Sequence, residues 1–183
     1  MKAPAFDYVR PQSLSEAVGL LAAGGSEAQV IAGGQSLIAM MNLRIASPRL
    51  LIDIARLAEL AALTEAEDSV SLGAGVTHAM IEDGQTPDPS RGLMPRAAAA
   101  LAYRAIRNRG TLGGSLALSD PAAEWPAVLV ALDAEAVLYG PGGAARSNAA
   151  NSSTASTRLS SPIARSSRAC GFRSFPRAHA AVT

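Results

Sequence analysis

The chain has few residues that could form a disulfide bond or hold a metal ion. Of its 183 residues only Cys170 is a cysteine, and only His78 and His179 are histidines. A single cysteine excludes an internal disulfide framework, and with only two imidazoles in the chain a dedicated zinc site is not expected. This composition favours a reducing cytoplasm as the compartment.

Aromatic residues and long hydrophobic runs are also scarce. Phe, Tyr and Trp make up 4% of the chain, so the core has to be built mainly from aliphatic side chains. No apolar run approaches the length of a transmembrane helix, and the N-terminal residues lack the apolar segment of a signal peptide. We therefore expect a soluble protein without a membrane span.

Acidic residues are absent from the last part of the sequence. Residues 1–144 contain 10 basic and 15 acidic residues, whereas residues 145–183 contain six arginines and no acid. A basic tail can bind nucleic acid, but this one lacks the interleaved aromatics of a base-stacking surface, so no nucleic-acid partner is expected. Its Ser, Ala and Arg composition has no periodicity, which predicts that residues 144–183 are a low-complexity tail, disordered or translated out of frame.

The rest of the chain alternates helical and strand patterns. Residues 11–23 predict an amphipathic helix in which Ser13 is the N-cap and Glu16 its capping-box partner. Further helices are predicted at residues 36–43, 77–82 (N-capped by Thr77) and 93–103, and short strands at residues 29–32, 49–54, 70–73 and 134–139. A surface loop is predicted at residues 83–92, a charged turn at residues 104–110 and a further turn at residues 141–143.

Asp120 and Pro121 predict the start of one more helix. Aspartate is a preferred N-cap, and proline is favoured at the first helical position. The apolar side chains of that helix that we expect to face the core are Leu129, Val130 and Leu132.

Two glycine pairs are the most informative motifs. They are Ala-Gly-Gly-Gln-Ser at residues 32–36 and Thr-Leu-Gly-Gly-Ser at residues 111–115. Either could be a plain tight turn. Glycine, however, allows a close approach of backbone to ligand and tolerates positive φ, and successive amides in such a turn form a nest for phosphate oxygens. The two turns together predict a site for the two ends of a pyrophosphate.

Other side chains carry weaker predictions. Arg107 and Arg109 either bind phosphate or belong to a solvated or subunit-facing turn, and the sequence leaves both open. His78 is predicted to be a surface or capping residue rather than a base. Trp125, the only tryptophan, is predicted to lie in a core or an interface. No catalytic residue is predicted.

The second glycine pair is part of a longer motif. Residues 106–117 read Ile-Arg-Asn-Arg-Gly-Thr-Leu-Gly-Gly-Ser-Leu-Ala, followed by Asp-Pro-Ala-Ala-Glu at residues 120–124. Together with Phe-Asp-Tyr at residues 6–8, Pro11 and the first glycine pair, this motif resembles the FAD-binding medium subunit of molybdenum hydroxylases, the carbon monoxide dehydrogenase and xanthine dehydrogenase family. The resemblance covers about residues 1–143.

The resemblance implies an α+β fold, the FAD-binding domain of the vanillyl-alcohol oxidase (PCMH) type. It implies two α+β subdomains, at about residues 1–55 and 56–143, and the C-terminal domain of the family is missing, so weaker retention of FAD is expected. The FAD contacts that it implies are Ala32, Gly33, Gly34, Gln35, Ser36, Thr111, Leu112, Gly113, Gly114, Ser115, Asp120 and Glu124. It implies no catalytic residue and no metal ligand on this chain.

In function, the resemblance implies an electron-transfer subunit of an oxidoreductase, in which FAD passes electrons from [2Fe-2S] clusters to a terminal acceptor. The implied partners are a large molybdopterin subunit and a small [2Fe-2S] subunit, in a heterotrimer that dimerises. Two alternatives stay open: a stand-alone FAD-dependent oxidoreductase of the same fold, and a non-functional truncated remnant. The sequence identifies neither the electron acceptor nor the substrate, and carbon monoxide, purines, aldehydes and N-heterocycles all stay open as substrates.

Overall fold

The structure is a computed structural model that describes residues 2–67, 69–148, 169–172 and 175–176. Its helices are α1 (Leu14–Gly24), α2 (Leu37–Asn42), α3 (Ala58–Ala61), α4 (His78–Glu82), α5 (Leu93–Ala100), α6 (Arg104–Arg107), α7 (Leu112–Leu118) and α8 (Glu124–Ala131). Its strands are β1 (Asp7–Val9), β2 (Ala28–Ile31), β3 (Leu50–Asp53), β4 (Leu63–Glu65), β5 (Ser69–Leu72), β6 (Glu135–Gly140), β7 (Gly143–Asn148), β8 (Ala169–Phe172) and β9 (Phe175–Pro176). The predicted α+β class is confirmed.

The first sheet consists of three parallel strands in the order β1-β3-β2. Tyr8 of β1 and Gln29 of β2 both pair with Leu51 of β3. Because the strands are parallel, their carboxyl ends meet at one edge of the sheet, which is where open parallel sheets commonly bind ligands. Asp53 ends β3 at this edge, and Arg10 directly follows β1 there.

Helix α1 packs on this sheet and begins where the sequence predicts. Its buried side chains recur every three or four residues: Leu14, Ala17, Val18 and Leu21. Ser13 Oγ accepts a hydrogen bond from Glu16 N at 3.1 Å, which confirms the predicted N-cap. The Glu16 carboxylate accepts from Gln12 N at 2.7 Å, one residue before the position that a capping box uses.

A second hydrophobic cluster surrounds Trp125, which is fully buried. The cluster joins β5 and β6 to helices α4, α5, α7 and α8. The sequence placed Trp125 in a core or an interface, and the structure assigns it to the core. The first cluster, between α1 and the parallel sheet, extends to Ala74 in the turn after β5. Ala74 therefore lies next to both clusters.

Helix α8 differs from the prediction at both its start and its inward face. Its N-cap is Ala123, not Asp120, whose carboxylate instead accepts from Ala122 N at 2.9 Å and stabilises the preceding turn. Val130, predicted to be buried, is 47% exposed. Burial of Trp125 selects the face, since the buried positions of α8 are that residue together with Val128 and Leu129.

Strands β6 and β7 form an antiparallel hairpin through the predicted turn at residues 141–143, where Gly143 has φ +92°. Strand β7 lies in a stretch for which the sequence predicted no packed element. Strand β7 pairs with β6 through backbone groups. Its sequence of Gly, Ala, Arg, Ser and Asn does not predict a strand. Strand β8 pairs with the other edge of β6. Most of the predicted tail lies outside the described residues, and its proposed disorder or frame change stays a prediction.

Candidate functional site

A cleft of about 600 Å³ opens at the carboxyl edge of the parallel sheet. The ends of β1, β2 and β3 form its floor, helix α2 contributes Ile38, Ala39 and Asn42, and Arg109 joins from the distant second motif. The first glycine motif contributes Ala32, Gly33, Gly34 and Gln35. Part of one predicted binding loop and a residue next to the other therefore share one cavity.

Gly33 is where the chain segments of the two motifs meet. A Cβ atom at this position would clash with the Arg109 carbonyl oxygen and lie 2.7 Å from its carbonyl carbon. Gly34 has φ +73°, a conformation that glycine adopts without strain. Gly33 is thus required by backbone contact within the protein, and Gly34 by the shape of the turn.

The second glycine pair has a different conformation from the one predicted. Residues 112–118 form helix α7, Thr111 is its N-cap, and neither Gly113 nor Gly114 has positive φ. Thr111 Oγ1 accepts from Gly114 N at 3.1 Å. A Cβ on Gly113 would lie 2.8 Å from the Ala74 Cα, so this glycine lets α7 pack on the turn after β5. The prediction of a second glycine turn at these residues is therefore wrong, because they begin a helix.

The remaining predicted contacts do not line the cleft. Ser36 is exposed at the start of α2 and makes no capping bond with its side chain. Thr111, Leu112 and Gly113 are buried, Ser115 is half-buried, and Gly114, Asp120 and Glu124 are exposed. Their contact with a cofactor stays a prediction.

Three residues that sequence reasoning missed form a network in the cleft wall. The Tyr8 hydroxyl donates a short hydrogen bond to Asp53 Oδ2, and Arg10 Nε donates to the same oxygen at 2.9 Å. Arg10 Nη2 donates to the Tyr8 hydroxyl at 2.8 Å, and the Ala55 amide donates to Asp53 Oδ1 at 2.9 Å. Their signal in the sequence was the position of polar residues at the ends of apolar strands.

This network fixes the charges in the cleft wall. Burial raises the pKa of Asp53, but the hydrogen bonds from Tyr8, Ala55 and Arg10 outweigh it, so the pKa lies below its usual value. The hydrogen bond to Asp53 raises the pKa of the Arg10 guanidinium. The carboxylate and the guanidinium are therefore both ionised at neutral pH.

His78 lies under the second motif and not on the surface as predicted. It is 7% exposed, and its Nδ1 accepts a hydrogen bond from Trp125 Nε1 at 3.0 Å. A Cβ on Gly110 would lie 2.9 Å from His78 Nε2, so the ring packs directly against the backbone before α7. Burial lowers its pKa to about 4, so the ring is neutral at pH 7. His78 is a packing residue.

The structure gives different surroundings to Arg107 and Arg109, for which the sequence left the same two roles open. Arg107 binds both carboxylate oxygens of Glu82, at 2.8 and 2.9 Å, and the carbonyl oxygens of Leu101 and Ala102. Arg109 is exposed and lines the cleft, and within the described part of the chain its side chain has no hydrogen bond or ion pair. Arg107 therefore joins α6 to α4, and Arg109 is free to meet a ligand.

Within the described ranges, no three His, Cys, Asp or Glu side chains come together as a metal-binding group. The same ranges contain no helix with the length and apolarity of a membrane span.

A family model described as the FAD binding domain in molybdopterin dehydrogenase matches residues 4–158. The chain belongs to this family. The membership confirms the resemblance, the flavin-domain fold class and FAD as the cofactor of the family.

Curated relatives agree with the family. The alpha subunit of the 6-hydroxypseudooxynicotine dehydrogenase complex of Paenarthrobacter nicotinovorans is 47% identical over 134 residues, which are 73% of this chain and 45% of the relative. The medium chain of carbon monoxide dehydrogenase from Hydrogenophaga pseudoflava is 41% identical over 140 residues, 76% of this chain and 49% of the relative. The chain thus spans about half the length of the curated relatives it matches.

Solved structures share the fold. A carbon monoxide dehydrogenase of Hydrogenophaga pseudoflava that lacks the Mo-pyranopterin moiety of its cofactor superposes with a TM-score of 0.83 at 32% identity. The match covers 98% of this chain and 62% of that one. Quinoline 2-oxidoreductase of Pseudomonas putida 86 gives the same TM-score and identity, over 98% and 61% of the two chains.

The cleft of this FAD-family chain has the properties that a phosphate-bearing ligand needs. Its volume of about 600 Å³ lies within the range of small-molecule sites. The glycines at 33 and 34 expose backbone to the cavity, and Arg109 brings a positive charge. The residues present therefore fit the pyrophosphate part of a dinucleotide.

Proposed function

We propose that this chain is the FAD-binding part of the medium subunit of a molybdenum-containing hydroxylase or dehydrogenase, and that the cleft beside Gly33 and Gly34 holds the nucleotide part of the cofactor. The observation that carries this proposal is the turn at Gly34, with φ +73°, opening into a cavity at the carboxyl edge of a parallel sheet. Family membership supports the identity of the cofactor.

In this proposal the cofactor supplies the redox chemistry, and the chain supplies binding and orientation. The turn at residues 33–34, which Gly34 forms with a positive φ, lines the cleft and would present its backbone amides to the ligand. Ile31 and Ile38 line the cleft beside the turn, and both lie within 3.4 Å of the position that a Cβ on Gly34 would take. The predicted contacts of Ser36, Thr111, Leu112, Gly113, Gly114, Ser115, Asp120 and Glu124 belong to the same proposal.

The proposal extends to partners and to a direction of electron flow. A large molybdopterin subunit and a small [2Fe-2S] subunit would deliver electrons, since one cysteine cannot ligate such clusters. The assembly would be a heterotrimer that dimerises, and the scarcity of cysteine favours the cytoplasm as its compartment. The names of the relatives range from nicotine 6-hydroxylase to glyceraldehyde dehydrogenase, so the substrate is set elsewhere in the complex.

A cleft-filling variant tests the site. Ala39 lines the cleft from the exposed side of α2, so Ala39→Trp fills the cavity without entering a core. Ala99→Trp adds the same side chain at an exposed position of α5, outside the cleft lining. We expect FAD, titrated by flavin absorbance and fluorescence, to bind Ala39→Trp at least about ten-fold more weakly than the parent, a loss of roughly 1.4 kcal/mol.

Ala99→Trp should bind FAD as the parent does. Equal binding by Ala39→Trp and Ala99→Trp would mean that the ligand lies outside this cleft. Circular dichroism of both variants checks that they are folded.

A further inference from the structure

Among the described residues that line the cleft, three carry a charge: Arg10, Asp53 and Arg109. These residues give the described lining two positive charges and one negative charge, a net charge of +1. A cavity built only to hold a neutral ring system has no need of this balance. It favours an anionic ligand instead.

The Arg10 guanidinium is held in one orientation. It donates through Nε to Asp53 and through Nη2 to Tyr8, and its Cζ lies 5.5 Å from the centre of the Tyr8 ring. Asp53 is itself fixed by the Ala55 amide. Arg10 Nη1 has no hydrogen bond within the described ranges, so it can donate to a ligand while the rest of the group stays in place.

Arg109 approaches the same cavity from the second motif. Its backbone contacts Gly33, which places residue 109 directly beside the predicted phosphate turn. The guanidinium of Arg107, two residues earlier, donates hydrogen bonds to Glu82 and to backbone carbonyl oxygens. Arg109 differs from Arg107 in that its side chain lines the cleft and has no hydrogen bond or ion pair within the described residues.

We propose that Arg10 and Arg109 form an anion-binding pair that takes the phosphates of a nucleoside diphosphate group in this cleft, with Tyr8 and Asp53 as the residues that position Arg10. The proposal rests on the FAD function above and names the side chains that meet the charged part of that cofactor. Guanidinium groups suit this task because they stay ionised and offer paired donors to phosphate oxygens.

The decisive variant is Arg109→Gln, with Arg96→Gln as its matched control. Arg96 is also exposed, lies on α5 outside the cleft lining, and donates to the carbonyl oxygen of Gly92, the N-cap of that helix. The probes are FAD, ADP and riboflavin, titrated separately into the full chain. Riboflavin shares the flavin ring but has no phosphate, and ADP has the diphosphate but no flavin.

We expect Arg109→Gln to bind FAD and ADP roughly ten-fold or more weakly than the parent, because the lost hydrogen bonds are charge-assisted. The affinity for riboflavin should not change. The salt dependence of ADP binding should also become shallower, since one cation fewer meets the phosphates. Tyr8→Phe removes the hydroxyl that accepts a hydrogen bond from Arg10 Nη2, so the affinity for ADP should fall several-fold. The affinity for riboflavin should again stay the same. A merely structural defect would weaken both probes together.

The outcomes separate this inference from the proposed function. If the parent binds FAD, and Arg109→Gln binds FAD and ADP as tightly as Arg96→Gln does, the anion-binding pair is overturned and the flavin function stands. If the parent binds neither FAD nor ADP, both proposals fail. Weaker binding of riboflavin by Arg109→Gln would also overturn the assignment to phosphate.

Discussion

Gly33 is needed at the first motif for a close contact within the protein, whether or not a ligand is bound. A Cβ there would come within 2.9 Å of the Gly110 Cα as well as striking the Arg109 carbonyl. The neighbouring atoms are backbone, which cannot move aside as a flexible side chain can. The glycine therefore serves the contact between two parts of the protein, and a large substitution at this position would test folding and not binding.

Gly33→Ala should accordingly destabilise the chain by about 2 kcal/mol, the range of overpacking in a tight contact. Gly19→Ala is the matched control, because Gly19 lies inside α1 with nothing within 4 Å of its added Cβ. Alanine at that position should stabilise the helix by about 0.5–1 kcal/mol. Denaturant unfolding measures both, and equal midpoints for the two variants would contradict the close approach at Gly33.

His78 makes stability depend on pH. Its pKa is about 4 in the folded chain and 6.5 when unfolded, so between these values the unfolded state binds more protons. Stability is therefore fully present above pH 6.5 and is lost as the pH falls towards 4. At pH 5 the loss should be about 2 kcal/mol.

The measurement is the free energy of unfolding at pH 7 and pH 5, for the parent and for His78→Gln. Glutamine can still accept the Trp125 hydrogen bond but does not titrate. The difference between the two pH values should shrink by about 2 kcal/mol in the variant. An unchanged difference would mean that other groups cause the acid sensitivity.

At the scale of elements, two residues that look like helix caps in the sequence behave differently. Ser13 Oγ caps α1 by accepting from Glu16 N, whereas the Asp120 carboxylate accepts from Ala122 N, two residues before the first residue of α8. The Asp120 contact with the N-cap residue Ala123 is made by its backbone carbonyl and not by its side chain. Ser13→Ala should cost about 1 kcal/mol. Asp120→Ala should cost less than about 0.5 kcal/mol, as expected for an exposed site. The measurement is the free energy of unfolding of both variants in denaturant. A larger loss for Asp120→Ala than for Ser13→Ala would mean that the Asp120 side chain does act as a helix cap.

Local chemistry made some elements predictable. The α1 cap, the Thr77 cap of α4 and the glycine turn of the last hairpin each depend on residues close together in sequence. The start of α8 was missed because the burial of Trp125, a tertiary effect, selects which residues become helical. The pairing of β7 was missed because backbone hydrogen bonds leave little trace in side-chain patterns.

The candidate site shows the same division. The turn at Gly34 was predictable because its conformation is encoded by glycine itself. The network of Tyr8, Arg10 and Asp53 was not, since it joins residues more than 40 positions apart across the sheet. The conformation of residues 111–115 was mistaken because a glycine pair fits both a nest and a helix that must pack closely on Ala74.

At the scale of the whole molecule, the two hydrophobic clusters touch each other through glycines. Gly33 meets the backbone of Arg109 and Gly110, and Gly113 meets both the Cβ and the backbone of Ala74, so the chain segments that border the two clusters approach each other closely. Contacts of this kind weaken steeply with distance, because a gap of about 0.5–1 Å already forfeits a quarter to a half of the van der Waals attraction. We therefore expect the two clusters to unfold together.

Ligand binding provides the test of this coupling. The cleft is walled mainly by the parallel sheet, whereas Trp125, the only tryptophan, reports on the other cluster. At a hundred-fold excess of FAD over its Kd, stability should rise by about 2.7 kcal/mol. The shift should appear equally in normalised Trp125 emission and in far-ultraviolet circular dichroism during denaturant unfolding. If Trp125 emission kept its original midpoint while the circular dichroism transition moved, the parallel sheet would be stabilised without the cluster around Trp125, and the two clusters would unfold independently.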